Sequence, residues 1–128
     1  MTPHFTVKEM ECHCGCGLLP SMVVPVALER VREKLGVPIF CSCAARCIKH
    51  NRSIGSRDRS IHPMLLAADI YRVGRRDARA SPVDAQWIAA LFRSNGWYAL
   101  TEADHVHVDM RTWFPEILKL REEHLWTP

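Results

Sequence analysis

The sequence of 128 residues predicts an α+β fold. One segment carries apolar residues at helical spacing, at Val24, Leu28, Val31 and Leu35. Short apolar runs that read as strands lie in the middle and near the end of the chain, a separation typical of α+β domains. No internal repeat, linker or low-complexity stretch divides the chain, so we expect one domain over residues 1–128.

In the first half, turn and capping residues mark the ends of the helices. Thr6-Val-Lys-Glu9 resembles a capping box, which starts a short helix. Ser21 is predicted to cap the next helix and Gly36 to end it. The elements predicted here are a short helix from residue 6, a helix over 21–35, a strand over 37–43 and a short helix over 45–52.

The second half begins with a strand, over residues 66–71, that is largely apolar apart from Asp69. Ser81 is predicted to cap a helix that has Pro82 at its first position, where proline is favoured, and that ends before Gly96. Strands over 97–101 and 105–110 follow, joined by a turn at 102–104, and a last helix is predicted over 115–123.

Composition limits the class of protein. A net charge of +3, 48% hydrophobic and 24% charged residues are ordinary for a soluble domain. We expect no membrane partner, because no apolar run approaches the ~20 residues of a membrane helix. The N-terminus has no apolar signal core, so we expect a chain that is cytoplasmic as synthesised. We also expect a monomer. Two arginine-rich segments, over 52–59 and 72–79, are either solvated loops or a surface that attracts a polyanion such as a bacterial wall. We expect no nucleic-acid partner, because the sequence contains no recognised nucleic-acid-binding motif.

Six cysteines form two tight clusters, one over residues 12–16 and one over 41–47. Three interpretations remain open: reduced or partly buried thiols, disulfides, or a structural zinc site with His13 as an additional candidate ligand. The spacing differs from the two-residue gap of common zinc knuckles.

Two imidazoles and a carboxylate, from His62, Asp69 and His107, indicate a zinc site. Alternation along the last strand puts His105, His107 and Asp109 on one face. Asp69 interrupts an apolar strand, and a buried carboxylate must be paired or bound to metal. Three protein ligands leave a fourth zinc position for a water, the arrangement of hydrolytic zinc sites.

These motifs resemble the zinc D-Ala-D-Ala carboxypeptidase family of peptidoglycan peptidases. The matching positions are Ser60, His62 and Asp69 in a Ser-x-His…Ala-Ala-Asp-Ile pattern, Arg46 upstream, and the Val-His-Val-Asp run over 106–109. The opening over residues 5–17 is similar to small phage and prophage members. The resemblance implies a hedgehog/DD-peptidase-like fold with a central antiparallel sheet flanked by helices. It also implies one zinc ion per chain and a peptidoglycan stem peptide as substrate, reached after release as by a phage lysis or virion enzyme.

The resemblance also implies roles for individual residues. His62, Asp69 and His107 correspond to the zinc ligands. Asp104, with Glu102 as the near alternative, corresponds to the carboxylate that takes a proton from the attacking water. The other three positions are expected to assist: His105 by stabilising charge, Arg46 by holding the substrate carbonyl or oxyanion, and Ser60 by orienting substrate or a ligand.

Two departures from the family pattern leave a second hypothesis open. Leu65 stands where the family usually has glycine, and Pro63 where it usually has leucine. Both predict an altered loop, so a catalytically degenerate, zinc-bearing binding module is the alternative to a carboxypeptidase or endopeptidase. A zinc module for nucleic acid, built from the cysteine clusters, is a third and weaker hypothesis.

Overall fold

The computed structural model describes residues 1–36, 38–54, 62, 65–72, 82–102 and 105–116. Within these ranges the chain is α+β, as predicted. The helices are α1 (Val7–Met10), α2 (Val23–Leu35), α3 (Ile48–Ser53) and α4 (Pro82–Ser94), and the strands are β1 (Ile39–Cys43), β2 (Ala67–Arg72), β3 (Tyr98–Thr101) and β4 (Val106–Asp109). Among the helices so described, none is long and apolar enough to cross a membrane.

The strands form an antiparallel sheet in the order β1-β2-β4-β3. Strand β4 lies between β2 and β3, and its register with β2 pairs Asp69 with His107 and Ala67 with Asp109. Because paired residues in a sheet project to the same face, this register brings a carboxylate and an imidazole together from positions 38 residues apart in the chain.

The hydrophobic core lies on the other face of the sheet. Ile70, Val106 and Val108 are completely buried there, and helices α2 and α4 supply Leu28 and Phe92 to the same core. A slip of one residue would expose these apolar side chains and push the polar ones into the core. Since burying each such side chain contributes roughly 1.5–3 kcal/mol, the core enforces the register that the polar face depends on.

Helix α1 begins with the predicted capping box, and its Glu9 also bonds to the sheet. Thr6 Oγ1 accepts a hydrogen bond from Glu9 N at 3.1 Å, and the Glu9 carboxylate accepts one from Thr6 N at 3.3 Å. The other Glu9 oxygen accepts a hydrogen bond from Cys41 N at 3.0 Å. The buried carboxylate of Glu9 therefore joins the N-terminal segment to β1.

Two of the predicted helix starts were wrong. Helix α2 begins at Val23 with Met22 as N-cap, one residue later than a cap at Ser21 predicts. The Ser21 hydroxyl still accepts a hydrogen bond from Val23 N at 3.5 Å, and Ser21 N donates to Leu65 O at 3.0 Å. Helix α3 begins at Ile48, three residues later than predicted, because Cys47 is extended and its sulfur accepts from His50 N. The end of α2 at Gly36 is confirmed, with a left-handed φ of +69°. Ser81 and residues 117–123 lie outside the described residues.

Candidate metal centre

Three imidazoles converge on one carboxylate oxygen. Asp69 Oδ1 lies 3.2 Å from His62 Nε2, 3.2 Å from His107 Nδ1 and 3.5 Å from His105 Nε2. His62 and Asp69 are buried, with 4% and 9% exposure, whereas the side chain of His105 is 27% exposed. The cluster is therefore closed on the His62 side and open to solvent on the His105 side.

Each part of the cluster comes from a different local structure. The register of β2 and β4 places Asp69 beside His107. His62 reaches the cluster from the segment before β2, where its carbonyl accepts a hydrogen bond from Leu65 N at 3.0 Å. Met110 N donates to Leu66 O at 3.1 Å and so extends the pairing just beyond β4. These backbone hydrogen bonds fix the positions of the strands that carry Asp69 and His107 and of the turn that carries His62.

Leu65 adopts a backbone conformation that suits glycine. Its φ of +65° makes it the one non-glycine residue with positive φ in the described ranges. Such a conformation costs an L-residue about 1–2 kcal/mol. The loop was expected to differ because leucine replaces a usual glycine, but here the leucine accepts the left-handed conformation. Pro63, the other departure, lies outside the described residues.

The second ring nitrogen of both His62 and His107 has its own partner. His62 Nδ1 donates to the carbonyl of Ala44 at 2.9 Å, and His107 Nε2 donates to Asp109 Oδ2 at 2.8 Å. These bonds orient both rings so that His62 Nε2 and His107 Nδ1 face Asp69. A metal-binding histidine is usually held in this way, with its other nitrogen donating to a carbonyl or carboxylate.

Asp109 and Arg111 form a support for His107 that the sequence did not predict. Asp109 has 0% exposure and accepts from Arg111 Nε at 2.9 Å, Nη2 at 2.8 Å and the backbone N at 3.0 Å. The Arg111 guanidinium stacks 3.6 Å above the ring centre of Tyr98. Alternation had placed Asp109 on the face of His107, and extending it by two residues would have found Arg111 as well.

The charges of the cluster reinforce one another. Burial lowers the pKa of His62, but hydrogen bonding to Asp69 outweighs burial and raises this pKa to about 10. Burial raises the pKa of Asp69, but the hydrogen bonds from His107 and His62 hold it well below its usual range. Burial lowers the pKa of His107, but the hydrogen bond to Asp109 outweighs burial and gives a net rise. Without a metal, hydrogen bonding thus favours a charged Asp69 carboxylate beside a protonated His62.

The separations of His62 and His107 from Asp69 suit neighbouring ligands of a tetrahedral zinc ion. Zinc binds histidine nitrogen and carboxylate oxygen at about 2.0–2.2 Å, which separates neighbouring tetrahedral ligands by roughly 3.3 Å. The two separations of 3.2 Å from Asp69 Oδ1 match this value. Two nitrogens and one oxygen also match the donor set of hydrolytic zinc sites, which keep the fourth position open.

Comparison with known families gives this geometry a context. A family model described as Peptidase M15 matches residues 3–109. The chain belongs to the peptidase M15 family. Membership confirms the resemblance to zinc D-Ala-D-Ala carboxypeptidase-like enzymes and places the chain in a family of zinc peptidases. No curated protein and no solved structure matches the chain.

Cys43 lies between the centre of this M15 peptidase and Arg46. Its sulfur accepts from Arg46 Nη2 at 3.0 Å and lies 3.7 Å from His62 Nδ1. Ligand atoms of Cys43, His62 and Asp69 lie within 4.8 Å of one another. Because Ala44 occupies His62 Nδ1, the imidazole offers Nε2 rather than Nδ1 to a metal, so Cys43 is better placed to link Arg46 to the centre than to bind the ion.

The remaining predicted residues differ in how close they come to the centre. Arg46 is half-buried, and its Nη1 donates to Asn51 Oδ1 at 2.9 Å. His105 reaches Asp69 at the solvent-facing side. Glu102 is exposed in the turn after β3, where its backbone N donates to His105 O at 2.9 Å. Ser60 and Asp104 lie outside the described residues, so their roles stay predictions.

Proposed function

We propose that this M15 chain is a zinc metallopeptidase that hydrolyses a peptide bond in the peptidoglycan stem peptide. The observation that carries the proposal is the meeting of His62 and His107 at Asp69 Oδ1, each at 3.2 Å, in a chain of a zinc peptidase family. The activity would be that of a D-Ala-D-Ala carboxypeptidase or of an endopeptidase. We further propose one domain with the hedgehog/DD-peptidase fold, acting as a monomer on the wall after release.

His62 Nε2, one Asp69 oxygen and His107 Nδ1 would hold the zinc ion. When bound there, zinc supplies Lewis acidity, which lowers the pKa of a water to about 7 and polarises a carbonyl. Residues that bond to the far side of each imidazole keep its ring oriented toward the ion. Ala44 O holds the His62 ring, and Asp109 holds the His107 ring, at 2.9 and 2.8 Å.

Arg46 would bind the substrate carbonyl as negative charge develops on its oxygen. Its guanidinium is oriented by Asn51 at 2.9 Å and by Cys43 at 3.0 Å, so little reorganisation is needed when substrate arrives. Donors that are aimed at a developing oxyanion before the reaction stabilise the transition state strongly. Cys43 and Asn51 therefore serve as positioning residues for Arg46.

A carboxylate in the turn between β3 and β4 would move the proton. Asp104 is our first choice and Glu102 the alternative, since both belong to the turn that leads to His105 at the open side of the centre. This group would take a proton from the attacking water and deliver it to the leaving amine. His105 would stabilise the charge that accumulates nearby, and Ser60 would orient the substrate.

Metal content and turnover of a defined muramyl pentapeptide test the proposal together. Mass spectrometry should show loss of one D-Ala for a carboxypeptidase, or another fragment mass for an endopeptidase. Asp104→Ala and Glu102→Ala, measured separately, should show which loses hydrolysis while zinc is retained. Zinc at this centre with no cleavage of peptide or intact sacculi would favour the non-catalytic binding module. A centre that takes up no zinc would overturn the proposal.

A further inference from the structure

A second group of side chains of the types that ligate metals lies outside the proposed catalytic centre and has no part in it. We call it the four-thiol cluster: Cys12, Cys14, Cys16 and Cys47. The four sulfur atoms all lie within 4.8 Å of one another. Cys14 Sγ is 3.5 Å from Cys12 Sγ and 3.7 Å from Cys47 Sγ, and all four thiols are free.

We propose that the four-thiol cluster binds a structural zinc ion. Tetrahedral zinc with four thiolates has Zn–S distances near 2.3 Å, which places the sulfurs about 3.8 Å apart. The separations of 3.5 and 3.7 Å are close to that value, and the upper limit of 4.8 Å requires only small side-chain rotations. Four protein ligands fill the coordination shell, so this ion would have no open position for chemistry.

The local backbone brings three of the sulfurs to one place. Gly15 and Gly17 have φ values of +87° and +82°, which fold the Cys-His-Cys-Gly-Cys-Gly segment into a compact loop. The loop is closed by a hydrogen bond from Cys12 N to Leu18 O at 2.8 Å. No heavy atom lies within 4 Å of a Cβ built at either glycine, so conformation rather than space calls for glycine there.

Backbone donors already point at two of the sulfurs. Cys47 N donates to Cys12 Sγ at 3.3 Å, and His50 N donates to Cys47 Sγ at 3.3 Å. Hydrogen bonds of this kind offset the negative charge of metal-bound thiolates and orient them. Lys49 lines the same surface cavity as Cys14, Cys16 and Cys47, and its ammonium group would partly balance the net charge of −2 of such a site.

The position of Cys47 suggests what the ion would do. Cys47 directly follows Arg46, which we place at the substrate carbonyl, and Ala45 N donates to Met10 O at 3.2 Å. Zinc would clamp this turn to the N-terminal loop and so fix the backbone that carries Arg46. The inference itself stands on other residues than the catalytic proposal, so each can fail while the other holds.

The test is the zinc content of the purified full-length chain and its variants. We expect two zinc ions per wild-type chain. Cys14→Ala/Cys16→Ala removes two exposed thiols and should lower the count to one, whereas the control Cys41→Ala, at a buried thiol outside the cluster, should leave two. His62→Ala/His107→Ala should lose only the other ion. Far-ultraviolet circular dichroism establishes that each variant is folded.

A second measurement needs no variant. A thiol-specific mercurial added to the wild type should release one equivalent of zinc to a colorimetric chelator, and Co²⁺ in its place should show thiolate-to-metal charge transfer. The proposal is overturned if the wild type binds zinc but the His62→Ala/His107→Ala variant binds none, because all the zinc would then be at the other centre. Disulfides within the four-thiol cluster, seen by intact mass under non-reducing conditions, would also overturn it.

Discussion

The two candidate metal sites of this chain are built in opposite ways. The centre at Asp69 takes its donors from paired strands and an adjoining turn, and its carboxylate is buried. The four-thiol cluster takes three donors from one glycine-containing loop and the fourth from the residue before α3, and Cys14 and Cys16 are exposed. The difference teaches that donors can be brought together by strand register over a hydrophobic core or by a short hydrogen-bonded loop at the surface.

The largest effect should come from removing the carboxylate on which the imidazoles meet. Asp69→Asn should abolish zinc binding at the centre and reduce hydrolysis by more than the ~10–100-fold expected for a supporting residue. Zinc in the four-thiol cluster should remain. Glu116→Gln makes the same chemical change at an exposed carboxylate and serves as the control. Retention of two zinc ions in Asp69→Asn would show that Asp69 is not a required ligand, and loss of both would show that the two sites are not independent.

A smaller loss should follow from changing the support behind His107. In the structure, His107 Nε2 donates a hydrogen bond to Asp109 Oδ2 at 2.8 Å. Asp109→Asn keeps the shape of the side chain but weakens this hydrogen bond. We expect zinc affinity or kcat/KM to fall about 10–100-fold. Competition with a chromophoric chelator measures the affinity. An unchanged affinity would mean that packing alone orients the ring of His107.

The metal-free centre should make stability depend on pH in two separate ranges. The pKa of His62 rises to about 10 on folding, so its contribution is full below its unfolded value near 6.5 and is lost as pH rises toward 10. The pKa of Asp69 is lowered, so its contribution is present above about 3.9 and is lost as pH falls further.

Thermal unfolding of the metal-free protein at pH 6 and pH 9.5 tests whether the stabilisation by protonated His62 is lost as pH rises. We expect a lower Tm at pH 9.5, and a smaller decrease in Asp69→Asn, because that variant lacks the carboxylate that raises the pKa of His62. Zinc affinity should change in the opposite direction and increase with pH, since the imidazoles must lose their protons to bind the ion. Equal decreases in both proteins would contradict the pairing.

The smallest effect concerns Leu65 and its φ of +65°. Leu65→Gly and Leu65→Ala both remove the side chain, but alanine retains the cost of the left-handed conformation. We therefore expect the glycine variant to be more stable by about 1 kcal/mol in denaturant unfolding. At Arg30, an exposed position within α2, the order should reverse, with glycine less stable than alanine by about 1 kcal/mol. The same order at both positions would argue against strain at Leu65.

Local signals in the sequence were sufficient for several features. The capping box at Thr6 and the left-handed Gly36 define helix ends through bonds between residues close in sequence. Alternation in β4 was enough to put His107 and Asp109 on the face opposite Val106 and Val108, which are buried. Ser21 shows the limit of this reasoning: its hydroxyl accepts a hydrogen bond from Val23 N, but its backbone N–H is bonded to Leu65, far away in the chain, which no local signal indicates.

By itself, then, the sequence determined the α+β class, the family and the polar character of one sheet face, since these follow from periodicity and from short motifs. Only the tertiary structure decided that Asp69 pairs with His107, that Asp109 and Arg111 support that ring, and that Cys47 joins the thiols of residues 12–16. The physical reason is that these contacts join segments brought together by core packing and strand register, and no local propensity specifies which distant segments will meet.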